Sequence, residues 1–169
     1  MTSPTFPPDR THPPTPACQV SHLLRREIQA PIAAALIRGF AQTLGMGRAL
    51  EIAAAAVRAD ALAAGREMAA RPGGGSLTEL ERLVREVWSA DDAMTVRFLE
   101  RTERTLSFDV TRCGYADLYG RLGMRDLGYC LSCSRDEPFA RGFNPRLALV
   151  RTQTLMQGAA ACDFRFVLE

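Results

Sequence analysis

The hydrophobic period changes once along this chain, near Arg101, and that change limits the fold more than any other feature. Before it, apolar residues recur at steps of three and four, which is the spacing of a helix with one apolar face. Val20, Leu23, Leu24, Ile28, Ile32, Leu36 and Phe40 mark such a face on a first helix. Pro31 is expected to kink or split that helix, and Gly45 and Gly47 to close it. A second, alanine-rich helix runs from about Gly47 to Ala70, with Leu50, Ala53, Ala54, Val57, Ala61 and Met68 as its buried stripe. After the break at residues 72–75, Ser76 and Glu79 form a capping box. Leu77, Leu80, Leu83, Val84, Val87 and Trp88 then give an amphipathic face.

Beyond Arg101 the period is two. Leu106, Phe108 and Val110 alternate with Ser107, Asp109 and Thr111, as in a half-buried strand. Tyr115 to Leu122 reads as a short helix ended by Gly123, and residues 124–146 are mixed. Leu147 to Met156 and Cys162 to Leu168 read as strands of one hairpin. The pattern predicts an α+β fold, with N-terminal helices packed on a small antiparallel sheet formed mainly by the C-terminal half. Residues 1–18 hold six of the ten prolines, together with His12 and Cys18, and are expected to be a disordered tail. Residues 19–169 are expected to form a single domain.

Composition removes several chemistries. All 21 basic side chains are arginine, so no lysine can form a Schiff base or grip a phosphate in a P-loop. Two histidines, His12 and His22, exclude a three-histidine zinc site. A net charge of +2 and 7% aromatic residues argue against nucleic acid as a partner. No apolar run approaches the roughly 20 residues of a membrane span, so no membrane role is expected. The first 16 residues lack the apolar centre of a secretory signal, and five cysteines is an odd number; both point to a cytoplasmic chain with reduced thiols. The alanine-rich helices suit a homo-oligomer.

Reactivity therefore falls to cysteine and carboxylate. Cys113, Cys130, Cys133 and Cys162 all lie in the C-terminal half, with Asp136 close after Cys133 and Asp163 beside Cys162. A thiolate site needs positive charge or a helix N-terminus and some access, and Arg112 and Arg135 are local cations. The competing reading is a buried cysteine acting as a small hydrophobe. Cys162, in step with Phe164, Phe166 and Leu168, fits that reading. Cys130 and Cys133 have C-x-x-C spacing, but there is no second pair to complete a zinc ribbon. His22 lies one residue from the apolar stripe, as a base or as a plain helix-face histidine. On a regular strand Arg151 and Gln153 share one face and Thr152 and Thr154 the other. Cys113 would likewise share a face with Asp109 and Thr111, so it can meet Cys162 only if a bulge or strand end re-aims one of them.

The motifs carry a resemblance. The run Val110-Thr-Arg-Cys113-Gly-Tyr115-Ala116, with Leu131-Ser-Cys133-Ser-Arg135-Asp136 and Gly142-Phe-Asn-Pro145, resembles the L-2-amino-thiazoline-4-carboxylic acid hydrolase family. Arg151-Thr-Gln-Thr154-Leu-Met-Gln-Gly158 with Cys162-Asp163-Phe164-Arg165-Phe166 is the strongest part, and Arg25-Arg26-Glu27-Ile28 is similar to the family's N-terminal segment. The resemblance spans roughly residues 20–168 and implies a hydrolase without a cofactor. Its small-molecule substrate would be a 2-amino-thiazoline-4-carboxylate-like ring, opened toward a carbamoyl-cysteine. On this reading Cys133 or Cys162 is the nucleophile with Cys113 nearby, and Asp136 or Asp163 moves protons. Arg135 or Arg151, with Thr154, holds the substrate carboxylate. Two other readings stand beside it: a metal-assisted hydrolase with Cys and Asp ligands, and a non-catalytic ligand-binding or partner domain.

Overall fold

The computed structural model describes residues 20–169; the proline-rich segment with His12 and Cys18 lies outside the described residues. Helix α1 (His22–Leu44) and helix α2 (Met46–Ala69) are joined at Gly45, whose φ of 78° is a conformation that favours glycine. Helix α3 (Leu77–Leu83) starts as its capping residue predicts, with the Ser76 hydroxyl accepting the Glu79 N–H at 3.2 Å, and continues into a π turn at Val84–Trp88. Strands β1 (Met94–Arg101) and β2 (Thr105–Cys113) follow, then helices α4 (Gly114–Arg121), α5 (Arg125–Leu131) and α6 (Asp136–Phe143). Strands β3 (Leu147–Val150) and β4 (Cys162–Leu168) complete an antiparallel sheet in the order β1-β2-β4-β3. The fold is α+β, with its longest helices first and the sheet mainly in the C-terminal half.

Two apolar clusters hold it together. In the first, Leu80, Leu83 and Val84 pack with Phe143 of α6 against Phe108, Val110 and Phe166 of the sheet. In the second, Ala30, Ala34 and Ile37 of α1 pack with Tyr119, Leu127 and Leu131 of α4 and α5. Cys113 and Leu155 touch both clusters, so the seam between them runs past the end of β2.

Four expectations need correction. The stripe Leu24, Ile28, Ile32, Leu36 and Phe40 is exposed, and α1 buries Ala30, Ala34 and Ile37 instead. Small side chains let α2, α4 and α5 approach closely, so the alanine side is the one that packs. Pro31 lies inside an unbroken α1 because it sits on the exposed side, where the carbonyl it leaves unpaired can reach water. Strand β1 was not expected at all. Met94, Val96 and Phe98 do alternate, but two register shifts against β2 and charges at Arg97, Glu100 and Arg101 mask the period. The expected strand from Leu147 to Met156 ends at Val150, and a 3-10 turn occupies Leu155–Gln157, so the strand-face assignment of residues 151–154 fails.

Helices α2 and α6 cross where glycine meets backbone. A β-carbon on Gly142 would overlap the carbonyl oxygen of Leu62, and one on Gly65 that of Phe139. Gly142→Ala is therefore expected to cost about 2–3 kcal/mol of stability, because the obstacle is backbone and not a flexible side chain. Urea denaturation of the variant measures this directly. No helix among the described residues is long and apolar enough to cross a membrane.

Candidate active site

A β-bulge settles whether Cys113 and Cys162 can share a face. Val96 pairs with Val110 and Thr95 with Arg112, which leaves Thr111 as an extra residue on β2. Cys113, paired with Met94, therefore returns to the face of Val110, and Val110 is paired with Cys162. Cys113 also precedes the first turn of α4. Burial pushes its thiol up, while the backbone amides of Ala116 and Tyr115 pull it down and the charge of Asp136 adds to the rise.

Cys133 opens the 3-10 turn between α5 and α6, and Asp136 is the first residue of α6. Arg151, just past β3, ties the two together. Its Nη1 donates to Asp136 Oδ2 in a tight ion pair, and its Nη2 donates to the carbonyl of Cys133 at 3.0 Å. The guanidinium also lies over the Phe164 ring at 4.9 Å. The two side chains are only 9% and 24% exposed, so this pair is largely removed from water. Burial pushes the Asp136 carboxyl up, opposed by Arg151, then by Arg135 and Arg26. Burial and the Asp136 charge together hold the Cys133 thiol far above the ordinary thiol range, with Arg151 opposing. Burial likewise pushes Cys162 up to about 11. All three thiols are neutral at rest.

The other predicted residues make local hydrogen bonds. Cys162 is buried, and its Sγ accepts the Leu155 N–H at 3.2 Å. Asp163 accepts from the Thr152 and Gln153 amides at 3.0 and 2.8 Å and from the Thr152 hydroxyl at 2.7 Å, which holds the loop after Arg151. Thr154 caps the 3-10 turn, its hydroxyl accepting the Gln157 N–H at 3.2 Å. Cys113, Cys133, Cys162, Asp136 and Arg151 thus lie along one seam, while the Asp163 carboxylate is engaged by the Thr152–Gln153 loop.

Next to that seam is a cleft of ≈ 300 Å³, lined among others by Arg26, Gln29, Asp60, Tyr119, Leu131 and Arg135. Arg135 leaves the same turn as Cys133 and donates to Asp60 at 2.6 Å, on α2. Among the described residues, Arg26 on α1 has no carboxylate within ion-pairing distance, and its side chain donates to Gln29 Oε1 at 3.1 Å. Burial and the charge of Arg135 pull its guanidinium down. Tyr119 lies between the two groups, its hydroxyl pushed up mainly by burial and also by Cys133, and pulled down by Arg26. At the inner end of α1, His22 Nδ1 is 2.9 Å from the Tyr115 hydroxyl, which donates to the Trp88 carbonyl at 3.0 Å. Burial, then Arg26 and Arg135, lowers the imidazolium to about 4, so His22 is neutral at physiological pH.

Arg26, Tyr119 and Asp60 were not among the site residues expected from sequence. The signal for Arg26 was present: it stands in helical step with Ala30, Ala33 and Ile37, the side that packs.

The family model for L-2-amino-thiazoline-4-carboxylic acid hydrolase matches residues 25–166. The chain belongs to this family. The stretch matched to the L-2-amino-thiazoline-4-carboxylic acid hydrolase model contains Arg26, Arg135, Asp136, Arg151 and the three seam cysteines, so cleft and seam both fall inside it. Nothing among the curated proteins matches this hydrolase-family chain. Among its described residues, no three His, Cys, Asp or Glu side chains stand close enough to hold a metal ion.

Proposed function

We propose that the cleft binds a small cyclic amidine or amide bearing a carboxylate, 2-amino-thiazoline-4-carboxylate or a close analogue, and that the Cys133–Asp136–Arg151 group opens its ring by adding water. One observation carries this reading. Two guanidiniums, Arg26 and Arg135, face a single cleft whose acidic residue, Asp60, is exposed and engaged by Arg135 alone. A partly buried cation with no carboxylate partner among the described residues favours an anionic ligand, and a planar guanidinium matches a carboxylate in two-point fashion.

With the carboxylate on Arg26, the ring reaches toward Cys133. A substrate amidinium beside Asp136 supplies the positive charge that the neutral thiol lacks. Asp136 takes the Cys133 proton as sulfur bonds to the ring carbon between the heteroatoms. A ring C–S or C–N bond then breaks, and the proton passes from Asp136 to the departing atom. Water attacks the same carbon, Asp136 accepts its proton, and the Cys133–carbon bond breaks to return the thiol. The sum is one water added, with no change of oxidation state. A carboxyl pushed up by burial is a better proton acceptor than an ordinary carboxylate, which suits Asp136 for taking and returning a proton, and Arg151 fixes where it points.

Arg26→Gln is expected to raise KM for 2-amino-thiazoline-4-carboxylate by about 10- to 100-fold with little change in kcat, the loss of one charge-assisted contact. Steady-state kinetics on this substrate would show it. An unaltered KM places the carboxylate elsewhere.

A further inference from the structure

We propose that the outer face of α1 is the contact between two copies of this chain, packed helix against helix about a two-fold axis. Leu24, Ile28, Ile32, Leu36, Phe40 and Leu44 are all open to solvent, with Ile28, Ile32, Leu36 and Phe40 exposed by 64, 65, 53 and 50%. Together the six present roughly 600 Å² of apolar surface, at the upper end of what a soluble monomer leaves bare. Met46 and Ile52 of α2, each 42% exposed, extend the patch toward the ~800 Å² per partner of a stable interface.

The spacing points to a second copy as the occupant. Every member of the series lies four residues from the next, so the six form one i±4n ridge. Two such ridges interdigitate at an interaxial angle of about −50°, the commonest helix packing. The spacing is also symmetric about its centre. About a two-fold axis near residue 34, Ile32 faces Leu36 and Ile28 faces Phe40, and each contact recurs in its mirror position, as an isologous interface requires. No charged residue lies on α1 between Glu27 and Arg38. Those two are tied to the body of the fold, Glu27 with Arg121 of α4 at 3.6 Å and Arg38 with Asp126 of α5 at 3.5 Å, so neither charge lies within the apolar strip. Gly39 leaves room beside the ridge, since a β-carbon there would meet nothing within 4 Å. The alanines of α2, by contrast, are partly used inside the fold: Ala49 and Ala61 are buried.

Sedimentation velocity on the full chain at tens of micromolar tests the proposal. The expected mass is twice the 18.5 kDa of one chain. Ile32→Glu and Leu36→Glu, each on the exposed face, should give a chain of single mass with unchanged far-UV circular dichroism. Leu99→Glu, at an exposed apolar position on β1, should stay double. A wild-type chain of single mass overturns the proposal without any variant, as does a dimer that survives both glutamates.

Discussion

Arg151→Ala is expected to destabilise the fold by about 3–5 kcal/mol, the cost of leaving one member of a largely buried ion pair without its partner. The side chain does more than neutralise Asp136. It donates to the Cys133 carbonyl and covers Phe164, so one residue joins the turn before α6, the start of α6 and the sheet. Removing it leaves the Asp136 carboxyl in a site where burial already opposes its charge. Asp136→Asn is expected to cost less, since an amide still offers Arg151 an acceptor. Replacing both at once, Asp136→Leu with Arg151→Met, should recover most of the stability, because two apolar groups in place of a buried pair are often neutral. That double variant should fold and yet open no ring, which separates the structural contribution of the pair from its chemical one. Urea denaturation of the four proteins gives the comparison. A loss under about 1 kcal/mol for Arg151→Ala would mean that water screens the pair as it does at a surface.

Cys133→Ala is expected to lower kcat for ring opening on the order of 10³-fold, while Cys162→Ala keeps activity within a few-fold. The two thiols are distinguished by their surroundings. Cys162 is buried with the Phe164 and Phe166 rings, and its sulfur is held by the Leu155 amide. Cys133 lies on the turn that also sends Arg135 into the cleft, and it feels the Asp136 charge directly. Cys113 should fall between them. It shares the seam but ends β2 just past the bulge, packed against both apolar clusters, so Cys113→Ala should perturb kcat moderately through packing. Equal losses for Cys133→Ala and Cys162→Ala would remove the distinction.

Much of this was legible in the residues. The change of period near Arg101 separates the long helices from the sheet, and the Ser76 cap and the Cys162–Leu168 strand lie where the sequence puts them. What escaped depends on partners far away in the chain. Which side of α1 packs is decided by how near α2, α4 and α5 can come, and alanine wins that contest over larger apolar residues at four-residue spacing. The register shifts that hide β1 exist only against β2, and one of them also turns Cys113 toward Cys162. Arg151 looked like a strand-face cation free to bind substrate; it is already committed to Asp136, and the role proposed for it passes to Arg26. Asp163 stands beside Cys162, and what the sequence did not show is that its carboxylate accepts the amides of Thr152 and Gln153, eleven and ten residues back, and so holds that loop.

In the proposed reaction Cys133 becomes covalently bonded to the ring carbon of the substrate. Rapid acid quench during turnover of 2-amino-thiazoline-4-carboxylate, followed by peptide mass spectrometry, reads this directly. A substrate-derived adduct is expected on the peptide carrying Cys133, absent in Cys133→Ala and strongly reduced in Asp136→Asn, which cannot take the thiol proton. An adduct confined to Cys113 or Cys162, or turnover at the wild-type rate by Cys133→Ala, would contradict it.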